Sequence, residues 1–246
     1  MLLKQIICIL VIIATLCNTG LCQVYPNDSA SVDSRLYNTY KLYIDTIAGA
    51  SLLYNGSAYV TDYHGVKGTP FYETSRFVYG SVCYNGVRYN NIALKYDLVS
   101  DELIIKGFQN ESISLIREKI DSFSVLNHLF VRIDSNNTDL NAPSQRFYDL
   151  IHDSKKIRFF VTRSKAIKLA LHAEDPSSFV ISNTYYLARE NVFYNVANKK
   201  TLIRLLGTSD AMKTFWKNNI IKFKKDAETL IRKAVEHYDQ LKSNYE

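Results

Sequence analysis

The chain has 246 residues, with 30 Lys and Arg against 24 Asp and Glu and a net charge of +6. That length is ample for one domain with a sizeable core, or for one domain with an appendage. Three of the four cysteines, Cys8, Cys17 and Cys22, fall in the first 22 residues. The remainder keeps Cys83 alone, which excludes an internal disulfide and leaves stability to packing.

Residues 1–22 begin with Lys4, run apolar from Ile6 to Leu16 and end in small and polar residues. This is the layout of a secretory signal peptide, with Gln23 as the expected new N-terminus. Leu16 and Leu21 stand where a lipoprotein signal wants Gly or Ala, so lipidation is disfavoured. The apolar run falls short of the roughly 20 residues that a spanning helix needs. The chain is therefore expected to be exported, to the periplasm or beyond, without a transmembrane segment in the mature part.

Residues 23–32 read as a flexible leader. From Asp33, apolar positions Leu36, Tyr37, Tyr40, Tyr43, Ile44 and Ile47 recur at helical spacing, and Gly49 suits the stop. Period two then dominates. Asn55-Gly56 and Asn85-Gly86 each sit between alternating residues, which predicts two type I′ hairpins because both central positions of that turn need positive φ. Ile92 to Leu98 alternates cleanly, and Ser100-Asp101-Glu102 predicts a turn into Leu103-Ile104-Ile105. Further strands are expected over 113–123, 128–133, 147–151, 157–162, 179–182, 185–188 and 192–195. A turn is expected at 153–155 and a polar loop over 134–144.

The C-terminal part changes period. Helices are expected over 201–206, stopped by Gly207, then from Ser209-Asp210, then from Asp226. Leu230, Ile231, Ala234, Tyr238 and Leu241 form the apolar stripe of the third. The fold class is α+β: a curled or barrel-like antiparallel β meander over 33–200 with a leading helix, and a helical appendage over 201–246. Residues 23–195 hold 18 basic and 18 acidic residues, whereas 196–246 hold 11 basic and six acidic. The basic excess beyond the signal region thus lies in the appendage.

Several stretches match a known group. LYNGSAYV, FVYGSVCYNGVRYNNIALKYDLVSDELII, RFYDLIHDSKKIRFFVTRSKAI and the basic ending WKNNIIKFKKDAETLIRKAVEHYDQL resemble exported Bacteroidota proteins of unassigned function. The resemblance covers most of the chain after residue 22 and rests on hairpin and strand residues. It implies export and fold, and it transfers no catalytic residue. It also implies that Asp28-Ser29-Ala30 and Asp45-Thr46-Ile47 are similar to the glycosylated Asp-Ser/Thr-apolar sites of such bacteria.

Residues that could carry chemistry stand apart from one another. Cys83 lies in a strand, and none of His64, His128, His152, His172 or His237 sits in a motif that would activate it. Asp101 and Glu102 belong to a turn, and Asp97 is expected on a solvent face, opposite that of Tyr96. No HxH or HExxH pair appears. The loop from Asp134 has Asp139 and Gln145 where a calcium loop needs Gly and Glu, so no metal or cofactor is expected. Tyrosine is the biased residue, with 12 of 18 between Tyr25 and Tyr96. Tyr84, Tyr89 and Tyr96 are the candidate binding surface. Lys213, Lys217, Lys222, Lys224, Lys225, Arg232 and Lys233 are candidates for contact with an anionic partner. The expected function is a non-enzymatic envelope protein acting as a binding or interaction module for an envelope protein, glycan or anionic surface, with nucleic acid not expected. The alternatives are a carrier of a lipophilic molecule inside the β meander and, further behind, a hydrolase.

Overall fold

The computed structural model describes residues 52–133, 146–170, 172, 175–190 and 192–243. The expected signal peptide, leader and first helix, and the polar loop over 134–144, lie outside the described residues.

Among the described residues, eleven antiparallel strands form one sheet. They are β1 (Ser57–Ala58), β2 (Val78–Tyr84), β3 (Val87–Asp97), β4 (Glu102–Lys106), β5 (Ser112–Ser114), β6 (Ile120–Val125), β7 (His128–Arg132), β8 (Phe147–Asp153), β9 (Arg158–Lys168), β10 (Ser178–Arg189) and β11 (Val192–Asn195). Their order is β1-β5-β4-β3-β2-β6-β7-β8-β9-β10-β11, with β1 and β11 as the two edges. The sheet is open, so the barrel alternative is not realised. It curls strongly enough that the Lys165 N–H on β9 donates to Leu98 O at 3.0 Å, just beyond β3.

Local chemistry explains the turns. Asn85 (φ 52°) and Gly86 (φ 73°) close the β2–β3 hairpin as predicted. Asn55-Gly56 makes no hairpin. Leu52 and Leu53 are helical, and β1 pairs with β5. A Cβ on Gly56 would lie 2.1 Å from Ser114 O, so this glycine serves close strand approach. The expected strand over 113–123 is two strands, β5 and β6, separated by a 3₁₀ turn at Arg117–Lys119. Conversely, the expected strands over 179–182 and 185–188 are one, β10, because β9 supplies an unbroken partner from Lys168 to Arg158. In β3, Asn91 (φ 58°) is an extra residue opposite Gly80 and Ser81, a bulge that sharpens the bend.

Side-chain alternation divides the sheet into two faces. On the concave face of β2 to β8, Tyr84, Tyr96, Phe123, Phe130 and Phe147 are all fully buried. Phe123 stacks on Phe130 with ring centres 5.0 Å apart, and Tyr96 meets both edge-on. The interior of the curl is thus filled by its own aromatic rings.

Helices α1 (Lys199–Leu206), α2 (Asp210–Asn218) and α3 (Ala227–Ser243) cover the same face farther along. Asn198, Ser209 and Asp226 accept from the N–H groups of Thr201, Met212 and Thr229, and Gly207 (φ 83°) ends α1. Leu202, Leu206, Met212, Leu230, Ile231, Ala234 and Val235 pack on Ile157, Phe159, Val161 and Leu187. Each fully buried side chain of this size contributes about 1.5–3 kcal/mol, so apolar packing is what docks the helices. Among the described residues, no helix is long and apolar enough to cross a membrane.

Candidate functional site

The residues expected to form a tyrosine surface do not form one. Tyr84 and Tyr96 are 1% exposed, within the aromatic core. Tyr89 is half-buried and packs on the same core. Alternation supplies the reason: Tyr84 and Tyr96 share the concave face with Val82 and Leu94.

The carboxylates are also placed differently. Asp97 does not face solvent. It is fully buried, accepts from Tyr59 Oη at 2.5 Å and Tyr63 Oη at 3.2 Å, and caps the N–H groups of Val99 and Ser100. Residues 59–63 fold over what would otherwise be the outer face of β3. Asp101 does occupy the β3–β4 turn, with φ 63°, but is only 2% exposed. Its carboxylate accepts from Tyr96 and pairs with Arg117 at 2.7 Å and Arg146 at 3.5 Å. Both acids are structural ties.

Cys83 is half-buried, with Sγ 3.5 Å from Asp121 Oδ2. Burial and that carboxylate push its pKa up, the opposite of what a nucleophile needs. The seven candidate basic residues, Lys213, Lys217, Lys222, Lys224, Lys225, Arg232 and Lys233, are all exposed. Lys213 is tied to Asp210 at 2.9 Å.

Two ionic groupings escaped sequence reasoning. At the first, Arg163 on β9 reaches Asp149 on β8 at 2.6 Å and grips Glu228 on α3 through both terminal nitrogens at 3.0 and 2.9 Å. His128 Nδ1 lies 2.8 Å from the same Asp149 carboxylate. Tyr72 packs edge-on against His128 and lies under the Arg163 guanidinium. Burial alone would lower the Arg163 pKa, but the Glu228 hydrogen bonds and the Asp149 charge outweigh it and hold it above its ordinary value. The second grouping joins His152 Nε2 to Asp239 on α3 at 2.5 Å, with Ser154 Oγ donating to the other Asp239 oxygen at 3.1 Å. Both groupings tie α3 to the sheet. Among the described residues, no group of three His, Cys, Asp or Glu is placed to hold a metal.

Parity carried a signal for the first grouping. Phe147, Asp149 and Ile151 alternate on β8, and Phe159, Val161 and Arg163 on β9, so a charge stands on each buried face. Such a charge requires a partner.

The His128 pair has a pH signature. Its hydrogen bond to Asp149 raises the His128 pKa above its ordinary 6.5, while burial works against this. A raised histidine pKa stabilises the fold fully below the unfolded value and loses that contribution as pH rises through the folded value. Asp149, Arg163, Glu228 and Tyr72 are the groups that face it. The stability advantage of the native chain over His128→Gln should therefore be largest below pH 6.5 and shrink above it. Urea unfolding at a series of pH values checks this, and a difference independent of pH would contradict it.

A cavity of about 480 Å³ lies where β10, β11 and all three helices meet. Leu205, Leu206, Met212 and Leu241 supply its apolar lining. Arg189, Arg204, Tyr194 and Tyr238 supply polar ends. Arg189 and Tyr194 come from the β10–β11 hairpin, where Tyr194 pairs with Leu187 and so shares the helix-side face. Arg204 is exposed and Arg189 half-buried. The volume lies in the roughly 300–1,000 Å³ range of small-ligand sites, and a mainly apolar wall with a few charged groups is their usual composition. Of these residues, Tyr238 and Leu241 belong to the apolar stripe expected for the third helix; periodicity does not assemble the rest, because the cavity exists only where strands and helices meet. No family model, curated protein or solved structure matches this chain.

Proposed function

We propose that this chain is a non-enzymatic exported protein of the cell envelope. It acts as a binding module that holds a small amphipathic ligand, apolar at one end and anionic at the other. The observation that carries this reading is the helix-side cavity, whose leucines and methionine are joined by the guanidinium groups of Arg189 and Arg204. Guanidinium groups suit anions because their fixed fork of donors matches two acceptor oxygens. Export rests on the opening residues and on the resemblance to exported proteins. The non-enzymatic part rests on two imidazoles paired with carboxylates inside the ionic groupings that tie α3 to the sheet, and on a thiol with a raised pKa. A carrier chamber inside the curl is disfavoured because aromatic rings fill that space.

Titration of the full chain with 1-anilinonaphthalene-8-sulfonate, an apolar anion, tests the reading. Saturable binding to one site is expected. Arg204→Glu, an exposed change, should weaken it about 10-fold, the scale of one charged hydrogen bond. A neutral naphthylamine should bind both forms alike. Unsaturable binding, or binding indifferent to Arg204, overturns it.

A further inference from the structure

A second cavity, of about 280 Å³, opens at the β8–β9 turn and shares Arg189 and Tyr238 with the first. Its character is opposite. Lys155, Lys156, Arg158 and Arg189 line it, against one acid, Glu190. Hydrogen bonds hold the turn that presents Lys155 and Lys156: Ser154 Oγ accepts from the N–H groups of Lys156 and Ile157 and donates to Asp239 on α3. Tyr238, on the same helix, lines both spaces. An apolar chamber and a basic one therefore adjoin across a single tyrosine and a single arginine.

We propose that the basic cavity is a head-group subsite, and that the ligand of the helix-side cavity is an amphiphile ending in a phosphate ester. This deepens the binding-module reading and rests on it. A carboxylate carries one charge and is satisfied by one cation. A phosphate monoester carries about −1.5 to −2 at neutral pH and offers three strong acceptor oxygens. Four cations line this space with one acid, a surrounding that suits the larger charge. Arg189 lies between the two spaces, where it can hold the ester oxygens while the acyl part lies along Leu205, Leu206 and Met212.

Calorimetric titration of the full chain, below the micelle concentration of each probe, separates the outcomes. The probes are a 1-acylglycerol phosphate, the fatty acid and monoacylglycerol of the same chain length, and glycerol phosphate. The acylglycerol phosphate should bind at least about 10-fold more tightly than any of the others. Lys155→Glu with Lys156→Glu, both in the turn, should erase that preference by weakening acylglycerol phosphate at least about 10-fold. Equal affinity for acylglycerol phosphate and fatty acid, with no effect of the paired change, overturns the head-group subsite while leaving the binding module standing. Glycerol phosphate binding as tightly as its acylated form overturns the spanning ligand. Failure of every acylated probe to bind removes the binding module itself.

Discussion

Replacing Arg163 by methionine is expected to destabilise the protein by about 3–5 kcal/mol, the range for breaking a buried ion pair by removing one partner. Asp149 is fully buried and Arg163 only 6% exposed, so water cannot take over the lost contacts. Asp149 would keep His128, which is a third exposed and supplies a compensating charge only while protonated. Its Oδ1 has no hydrogen-bond partner among the described residues even in the native chain. The change also releases Glu228, so α3 should open locally before the sheet unfolds. Chemical denaturation gives the magnitude, and hydrogen exchange along Ala227–Ser243 gives the location. Adding Asp149→Leu should recover much of the loss, since an apolar pair can replace an ionic one in a buried site. Loss below about 1 kcal/mol, or a double variant no better than the single, would show that the grouping is better solvated than its burial indicates.

Phe123→Ala is expected to cost about 3–5 kcal/mol, through lost transfer energy and the cavity left behind. Phe123 stacks on Phe130 and meets Tyr96 and Phe147 edge-on, at ring separations between 5.0 and 5.1 Å. This substitution distinguishes two views of the curl. A packed interior loses several kcal/mol when a ring is removed, whereas a chamber built to admit a lipophilic ligand would tolerate a wider lumen. Thermal unfolding decides between them: a marked drop in Tm supports the packed interior, and an unchanged Tm would reopen the carrier reading for the β meander. The helix-side cavity should keep its affinity for probes, because Phe123 does not line it.

Both results concern features that strand alternation foreshadowed without naming. Alternation on β8 and β9 put Asp149 and Arg163 in line with Phe147, Ile151, Phe159 and Val161. It placed them on a buried face, but which charge answers which depended on the pairing of those strands and on α3 arriving overhead. The same period-two pattern put Tyr84 and Tyr96 with Val82 and Leu94, which argued against a tyrosine surface. Asp97 shows the limit of the rule. It alternates to the outer side of β3, yet Tyr59 and Tyr63 come from 38 and 34 residues away to bury it. No local pattern reports a distant segment folding over a strand.

The sequence by itself determined what depends on neighbours in the chain. It specified the Asn85-Gly86 turn through positive φ, the β3 strand through alternation, and the helix starts at Ser209 and Asp226 through side chains that cap exposed N–H groups. It specified the α3 face because residues three and four apart share a side of a helix. Tertiary structure decided what depends on non-local meetings. Gly56 became a point of close approach because β1 chose β5, and two apparent strands merged into β10 because β9 ran unbroken beside them. The sheet stayed open because β1 and β11 remained its edges. The two adjoining cavities arose only where the β8–β9 turn, the β10–β11 hairpin and three helices came together around Arg189 and Tyr238. Hydrophobic period and capping chemistry are short-range properties, and the shape and charge of a cavity belong to surfaces brought together by folding.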